Sequence, residues 1–149
     1  MVKRLVPPRN ATVAREEAKR YMIDDMGIFR TTIAVEHPAA RGTLRSLSSV
    51  MVDTGSEYTW IPSTLLEELG VKPERAMRFS LADGSIIERP IGFAIIHAGG
   101  TSAVDIVVFA SERDKTLLGA HSLEGLNLRL DLVRKELVPA GPVEAALCS

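Results

Sequence analysis

From Ile28 onward the chain alternates apolar and polar residues. Phe29, Thr31, Ile33 and Val35 fall on one parity, Arg30, Thr32 and Glu36 on the other. A period of two predicts a half-buried strand. Pro38 to Gly42 reads as a turn, and Leu44 to Val52 as a second strand. Thr64-x-x-Glu67 matches a capping box, which predicts a short helix from Thr64 to Leu69 ended by Gly70. Met77 to Leu81 and Ile86 to Glu88 flank Ala82-Asp83-Gly84-Ser85, and Asp-Gly between apolar runs predicts a hairpin. Ile91 to Ala98 and Ala103 to Ala110 form two more strands joined by Gly99-Gly100. The second of these is nearly continuously apolar, the pattern of a strand covered on both faces. Leu117-Leu118-Gly119 leads into a helical stretch, Ala120 to Gly125. Leu126, Leu128, Leu130 and Leu132 then alternate with polar residues, and a turn near Arg134-Lys135 leads to Leu137-Val138-Pro139. About seven short strands and one or two short helices predict an all-β domain with a closed, barrel-like core.

The ends differ from this pattern. Residues 1–26 carry little apolar periodicity and read as a loosely attached arm, with a short helix from Thr12 to Ile23. The domain proper is expected over residues 27–140, with Met26-Gly27 as a natural start and residues 141–149 as a loose tail.

Composition narrows the function. The chain has 149 residues, enough for one domain with a real core, and is 46% hydrophobic and 25% charged. Its net charge of −1 is interspersed along the chain and aromatic residues are scarce, so no nucleic-acid partner is expected. The single cysteine, Cys148, excludes an internal disulfide and reads as a tail residue. No apolar run is long enough to span a bilayer, and the basic start lacks the core of a secretory signal. A cytoplasmic protein without a membrane partner is the expectation. His37, His97 and His121 lack metal-ligand spacing, so no metal and no cofactor is expected.

Chemistry concentrates at Asp53-Thr54-Gly55-Ser56, which follows Val50-Met51-Val52 and precedes Tyr58-Thr59-Trp60-Ile61-Pro62. A carboxylate at the end of a hydrophobic strand, in a tight glycine turn, is positioned for acid–base work. Gly55 has no Cβ, so its N–H can approach the carboxylate. Ser56 can donate its hydroxyl to the outer carboxylate oxygen. Asp83-Gly84-Ser85 lacks a hydroxyl residue between Asp and Gly and reads as a turn, and Trp60 reads as core.

The string from Asp53 to Ser63 closely resembles the first active-site loop of the pepsin family, but the chain carries one such triplet and is far too short for two lobes. It therefore resembles the retropepsin-like aspartic proteases, its bacterial members in particular, over about residues 28–139. The resemblance implies a single-lobe closed barrel, active as a C2 homodimer in which each chain supplies one Asp53. It implies an aspartic endopeptidase acting on a peptide or protein substrate in extended conformation. Thr54 would tie the two loops together, the Ala82–Ser85 hairpin would be the flap, and Leu117, Leu118 and Gly119 would cross beneath the loop. Two departures stand out. Ser56 occupies a position where retroviral enzymes carry Ala, and Ala120-His121 replaces the usual Arg followed by Asn or Asp. A non-catalytic dimer that binds extended peptides is the alternative on the same fold.

Overall fold

The structure, a computed structural model, describes residues 28–147. The expected arm, its helix, the Met26-Gly27 junction and Cys148 lie outside these residues. Among the described residues the order is β1 (Phe29–His37), β2 (Ala40–Asp53), β3 (Thr59–Pro62), α1 (Ser63–Glu68), β4 (Arg75–Ser80), β5 (Ile86–Ala98), β6 (Thr101–Ala110), β7 (Leu117–Gly119), α2 (Ala120–Leu126), β8 (Leu128–Asp131) and β9 (Glu136–Pro139). The all-β expectation holds. Seven strands form one sheet in the order β1-β2-β7-β3-β6-β5-β4, and β5 also pairs with β1. The pairings therefore return to their starting strand, and β4 hangs from the first half of β5. β8 and β9 form a separate hairpin.

The alternation in β1 does what its period requires. Phe29, Thr31, Ile33 and Val35 are buried, and most of the intervening residues are half-buried. Phe29, Ile33 and Val35 meet Val50, Val52, Ile61, Leu66, Ile96, Val107 and Leu118 in one core. Each such side chain, fully buried, contributes about 1.5–3 kcal/mol.

Two turns follow from glycine. Gly99 and Gly100 have φ of 59° and 82°, and Ala98 pairs with Thr101 across them. A two-residue hairpin loop with both φ positive matches strand twist and suits Gly-Gly. Gly70, at φ 80°, ends α1. Its N–H donates to Glu67 O, and Val71 N–H donates to Leu66 O, the paired bonds of a Schellman cap.

Several expectations need correction. The capping box does not form: α1 starts at Ser63 with Pro62 as N-cap and no side-chain cap bond. Proline fixes an extended entry on its own. Ile86–Glu88 and Ile91–Ala98 are one strand, β5, running through Pro90. Pro90 faces Ala76 of β4, while the ladder to β6 begins at Ile91, so the missing N–H falls where only β4 borders the strand. β6 is covered on both faces only from Val107 to Ala110; Val104 is 62% exposed, and Asp105 is buried. Leu126 ends α2 rather than opening a strand, and Leu132 lies in the turn between β8 and β9, 61% exposed. β3 and β7, too short to show a period, bring the count among the described residues to nine against the expected seven or so.

Candidate active site

β2 delivers Asp53. Its register against β1 slips by one residue between Thr31↔Val50 and Ile33↔Leu47, and Ser49 there has φ 56°. Such a bulge re-aims the strand beyond it. After it Val50 and Val52 point into the core, while Met51 and Asp53 share the other, half-buried face. The chain turns at Thr54-Gly55, which are exposed, and returns as β3.

The turn folds back on its own carboxylate. Gly55 N–H donates to Asp53 Oδ1 at 2.9 Å, and Ser56 N–H donates to Asp53 O at 3.1 Å. A Cβ on Gly55 would sit 3.3 Å from that same Oδ1. The expected approach of the Gly55 amide to the carboxylate is thus present. The expected Ser56 bond is not: its hydroxyl donates to Tyr58 O at 3.2 Å. A serine has one proton to give, and the nearby backbone carbonyl takes it.

The support beneath the loop is β7. Met51, Val52 and Asp53 pair in parallel with Leu117, Leu118 and Gly119, while Trp60 of β3 pairs antiparallel with Leu117. The loop therefore straddles β7, with one limb on each side. Leu117, Leu118 and Gly119 are all buried. Gly119 is required by contact rather than by dihedral. A Cβ there would lie 2.4 Å from Tyr58 O and 2.9 Å from Ser56 O.

α2 finishes the arrangement. Its first amides lack partners within the helix, and Gly119 offers no side-chain cap. The loop supplies the acceptors: Ala120 N–H donates to Ser56 O at 2.7 Å and His121 N–H to Glu57 O at 2.9 Å.

A buried polar relay extends this support, and its acid was hidden in the apolar run of β6. Gly119 N–H donates to Thr59 Oγ1 at 3.0 Å. Ser122 Oγ donates to Asp105 Oδ2 at 2.5 Å, which leaves Thr59 to donate its own proton to Ser122 Oγ, also at 2.5 Å. Asp105 Oδ1 accepts from Ile106 N–H and meets His121 Nδ1 at 2.6 Å. Thr59, Ser122 and Asp105 are buried, with exposures of 0%, 0% and 6%. Where the resemblance leads one to expect an arginine, the chain has Ala120, and the Asp105 carboxylate on β6 holds α2 instead. The available signal was a lone acid inside a run too apolar to leave it in water, since a buried carboxylate needs partners. His97 likewise is engaged rather than incidental, with Nε2 2.7 Å from Glu36 Oε1.

The hairpin of β4 and β5 touches the strand that leaves the loop. Trp60, which leaves the loop on β3, stacks obliquely on Phe79 of β4 with ring centroids 4.9 Å apart. Trp60 is half-buried and joins hairpin to loop rather than filling the core. The tip is a turn in which Gly84, at φ 87°, donates to Leu81 O. Asp83 Oδ1 accepts both the Ser85 hydroxyl and its N–H, which hold the Asp83 carboxyl below its usual range. That carboxylate closes a turn, as expected. At the hairpin's base Arg89 grips Asp114 with two bonds, 2.6 and 3.0 Å. The Arg89 guanidinium, assisted by the Ser111 amide, holds the Asp114 carboxyl down at about 2.

A shallow hollow adjoins the site, lined by Ile28, Arg30, Ser49, Met51, Lys115 and Thr116. Among the described residues no cluster of His, Cys, Asp and Glu could hold a metal ion, and no helix is long and apolar enough to cross a membrane.

Comparison with known proteins places this geometry. No curated protein matches the chain. The solution structure of the protease of simian foamy virus (mac) is similar at 18% identity, covering 62% of this chain and 91% of that one with a TM-score of 0.42. A family model described as "gag-polyprotein putative aspartyl protease" matches residues 45–125, a span that holds the Asp53 loop, the β4–β5 hairpin, β7 and most of α2. Because that match covers more than half of the chain, this protein belongs to the gag-polyprotein aspartyl protease family.

Proposed function

We propose that the protein is a homodimeric aspartic endopeptidase in which two copies of Asp53, one per chain, activate a water between them. The observation that carries this reading is the loop itself. One Asp-Thr-Gly-Ser turn, straddling β7, presents a half-buried carboxylate with a single oxygen tied to Gly55 N–H. One carboxylate cannot be base and acid at once. Two, related by a two-fold axis, share a proton because like charges that close cannot both ionise. The ionised member takes a proton from water as the water attacks the scissile carbonyl. The protonated member donates to the carbonyl oxygen and then assists the leaving amine.

The remaining assignments belong to the same proposal. Thr54, exposed beside Asp53, faces the second loop across the axis. Ala82, Asp83, Gly84 and Ser85 form the tip of a flap that covers an extended peptide, with exposed Leu81 and Ile86 beside it. Leu117, Leu118 and Gly119 hold the loop in register. The catalytic unit is residues 27–140, with 1–26 as an arm and 141–149 as a tail.

The test is peptide-library cleavage by wild type and Asp53→Asn side by side. The amide is nearly isosteric and cannot act as the base, so cleavage should vanish while far-ultraviolet circular dichroism and sedimentation stay the same. Equal cleavage by both proteins refutes the assignment. Peptide binding without cleavage by either would establish the non-catalytic alternative.

A further inference from the structure

We infer that the hollow beside Asp53 is a subsite for an acidic substrate side chain, so that this protease cleaves next to Glu or Asp. The inference rests on the endopeptidase reading and adds the substrate class.

The hollow adjoins the reacting carboxylate through β2. Met51, in its wall, lies two residues before Asp53 and on the same face of the strand, so their Cα atoms are about 7 Å apart. Lys115 and Thr116, also in the lining, lead directly into Leu117, the partner of Met51. Arg30 is the β1 partner of Met51. A peptide lying extended across Asp53 places the side chain next to the scissile bond at this distance.

The lining sets the preference. Two of its six residues are cations and none is an acid. Neither Arg30 nor Lys115 is in a salt bridge among the described residues, whereas Arg41, Arg45, Arg89 and Arg134 are. The acid next to Lys115, Asp114, is already held through both oxygens by Arg89 and leaves Lys115 uncompensated. Arg30 is steadied by one long bond, Nη1 to Ser49 O at 3.4 Å, which leaves most of its five N–H groups available. Met51 offers an apolar wall for the methylenes of a glutamate, with the cations at the rim for its carboxylate. A substrate carboxylate is otherwise repelled by the singly charged Asp53 pair, so two unpaired cations here reverse an unfavourable sign. Two-fold symmetry repeats the hollow on the far side of the scissile bond.

The test uses one fluorogenic peptide scaffold that wild type cleaves, with Glu, Gln, Lys or Leu on either side of the scissile bond. Measured above pH ~5.5, where a substrate Glu is ionised, kcat/KM should favour Glu over isosteric Gln by about tenfold, the scale of a charge-assisted hydrogen bond. Lys should be poorest. The Glu advantage should shrink in high salt and vanish below pH ~4 as the substrate carboxyl protonates. Lys115→Glu, a change at an exposed position, should move the preference from Glu toward Lys, and Arg30→Gln should lower the Glu advantage, mainly through KM. An inverted charge preference is something a merely structural role for Lys115 does not produce. Equal cleavage of Glu, Gln and Lys peptides, or a preference for Leu that Lys115→Glu leaves untouched, overturns the subsite and leaves the protease reading standing. No cleavage of any peptide by wild type overturns both.

Discussion

Replacing Gly119 with alanine tests the way β7 carries the active-site loop. The new Cβ would lie 2.4 Å from Tyr58 O, 2.6 Å from Tyr58 C and 2.9 Å from Ser56 O, all backbone atoms. No flexible side chain can give way, so the loop must retreat by about 1 Å to reach an ordinary contact near 3.4 Å. Overpacking of this kind costs about 1–3 kcal/mol. The retreat also loosens the bonds from Gly119 N–H to Thr59 and from Ala120 N–H to Ser56 O, at about 1 kcal/mol each. A total of about 3–5 kcal/mol corresponds to a fall in Tm of roughly 6–20 °C for a chain of this size. Activity should fall further than stability, since a displacement of about 1 Å at reacting groups costs on the order of 100-fold. The control is Gly100→Ala, where no atom lies within 4 Å and only the positive φ of 82° opposes alanine, at about 1 kcal/mol. Thermal unfolding is read first and kcat/KM second, at temperatures where both variants are folded. A Gly119→Ala protein with wild-type Tm and wild-type kcat/KM refutes the threaded-loop account.

Other expectations are more local. Ser122→Ala leaves Asp105 Oδ2 without its donor and the buried Thr59 proton without its acceptor, and should cost about 1–3 kcal/mol; a neutral result in urea unfolding contradicts the relay. Ser56→Ala should leave the acid limb of the pH–rate profile in place, because the hydroxyl serves Tyr58 O; an upward shift would show that it reaches the carboxylate after all. Glu36 is held at about 2 by the Gly42 amide first, then by His97 and Arg41. Its proton binds more weakly in the fold than in the unfolded chain, so its contribution is complete above ~4.5 and is lost as pH falls toward 2. Unfolding midpoints measured from pH 6 to 2 should fall less steeply in Glu36→Gln than in wild type, and equal slopes contradict the assignment.

The fold was legible where one physical rule acted alone. β1 shows a clean period of two, the Gly99-Gly100 turn needs two positive φ angles, and Leu117-Leu118-Gly119 stands directly before α2. It was illegible where tertiary contacts supplied the answer. Nothing local says that Pro90 borders only β4, so β5 read as two pieces. Nothing local says that α1 would begin at Pro62 rather than use Thr64 as its cap. At the site, the Asp53 turn and the approach of Gly55 followed from residue chemistry. Ser56 turned to a neighbouring carbonyl because a backbone acceptor competes for a single proton. Asp105 was masked by its apolar neighbours, and its partners lie 17 residues away at Ser122 and, through it, on β3 at Thr59.

The central claim is that two copies of Asp53 make one active centre, and mixing chains tests it most directly. Wild type and Asp53→Asn are combined in equal amounts, dissociated, allowed to reassociate and assayed at fixed total protein. If each active centre needs an aspartate from both chains, only the pairs with two wild-type chains work, and activity falls to about one quarter of the unmixed wild type. If each chain works on its own, activity stays at about one half, and a value of one half contradicts the shared centre.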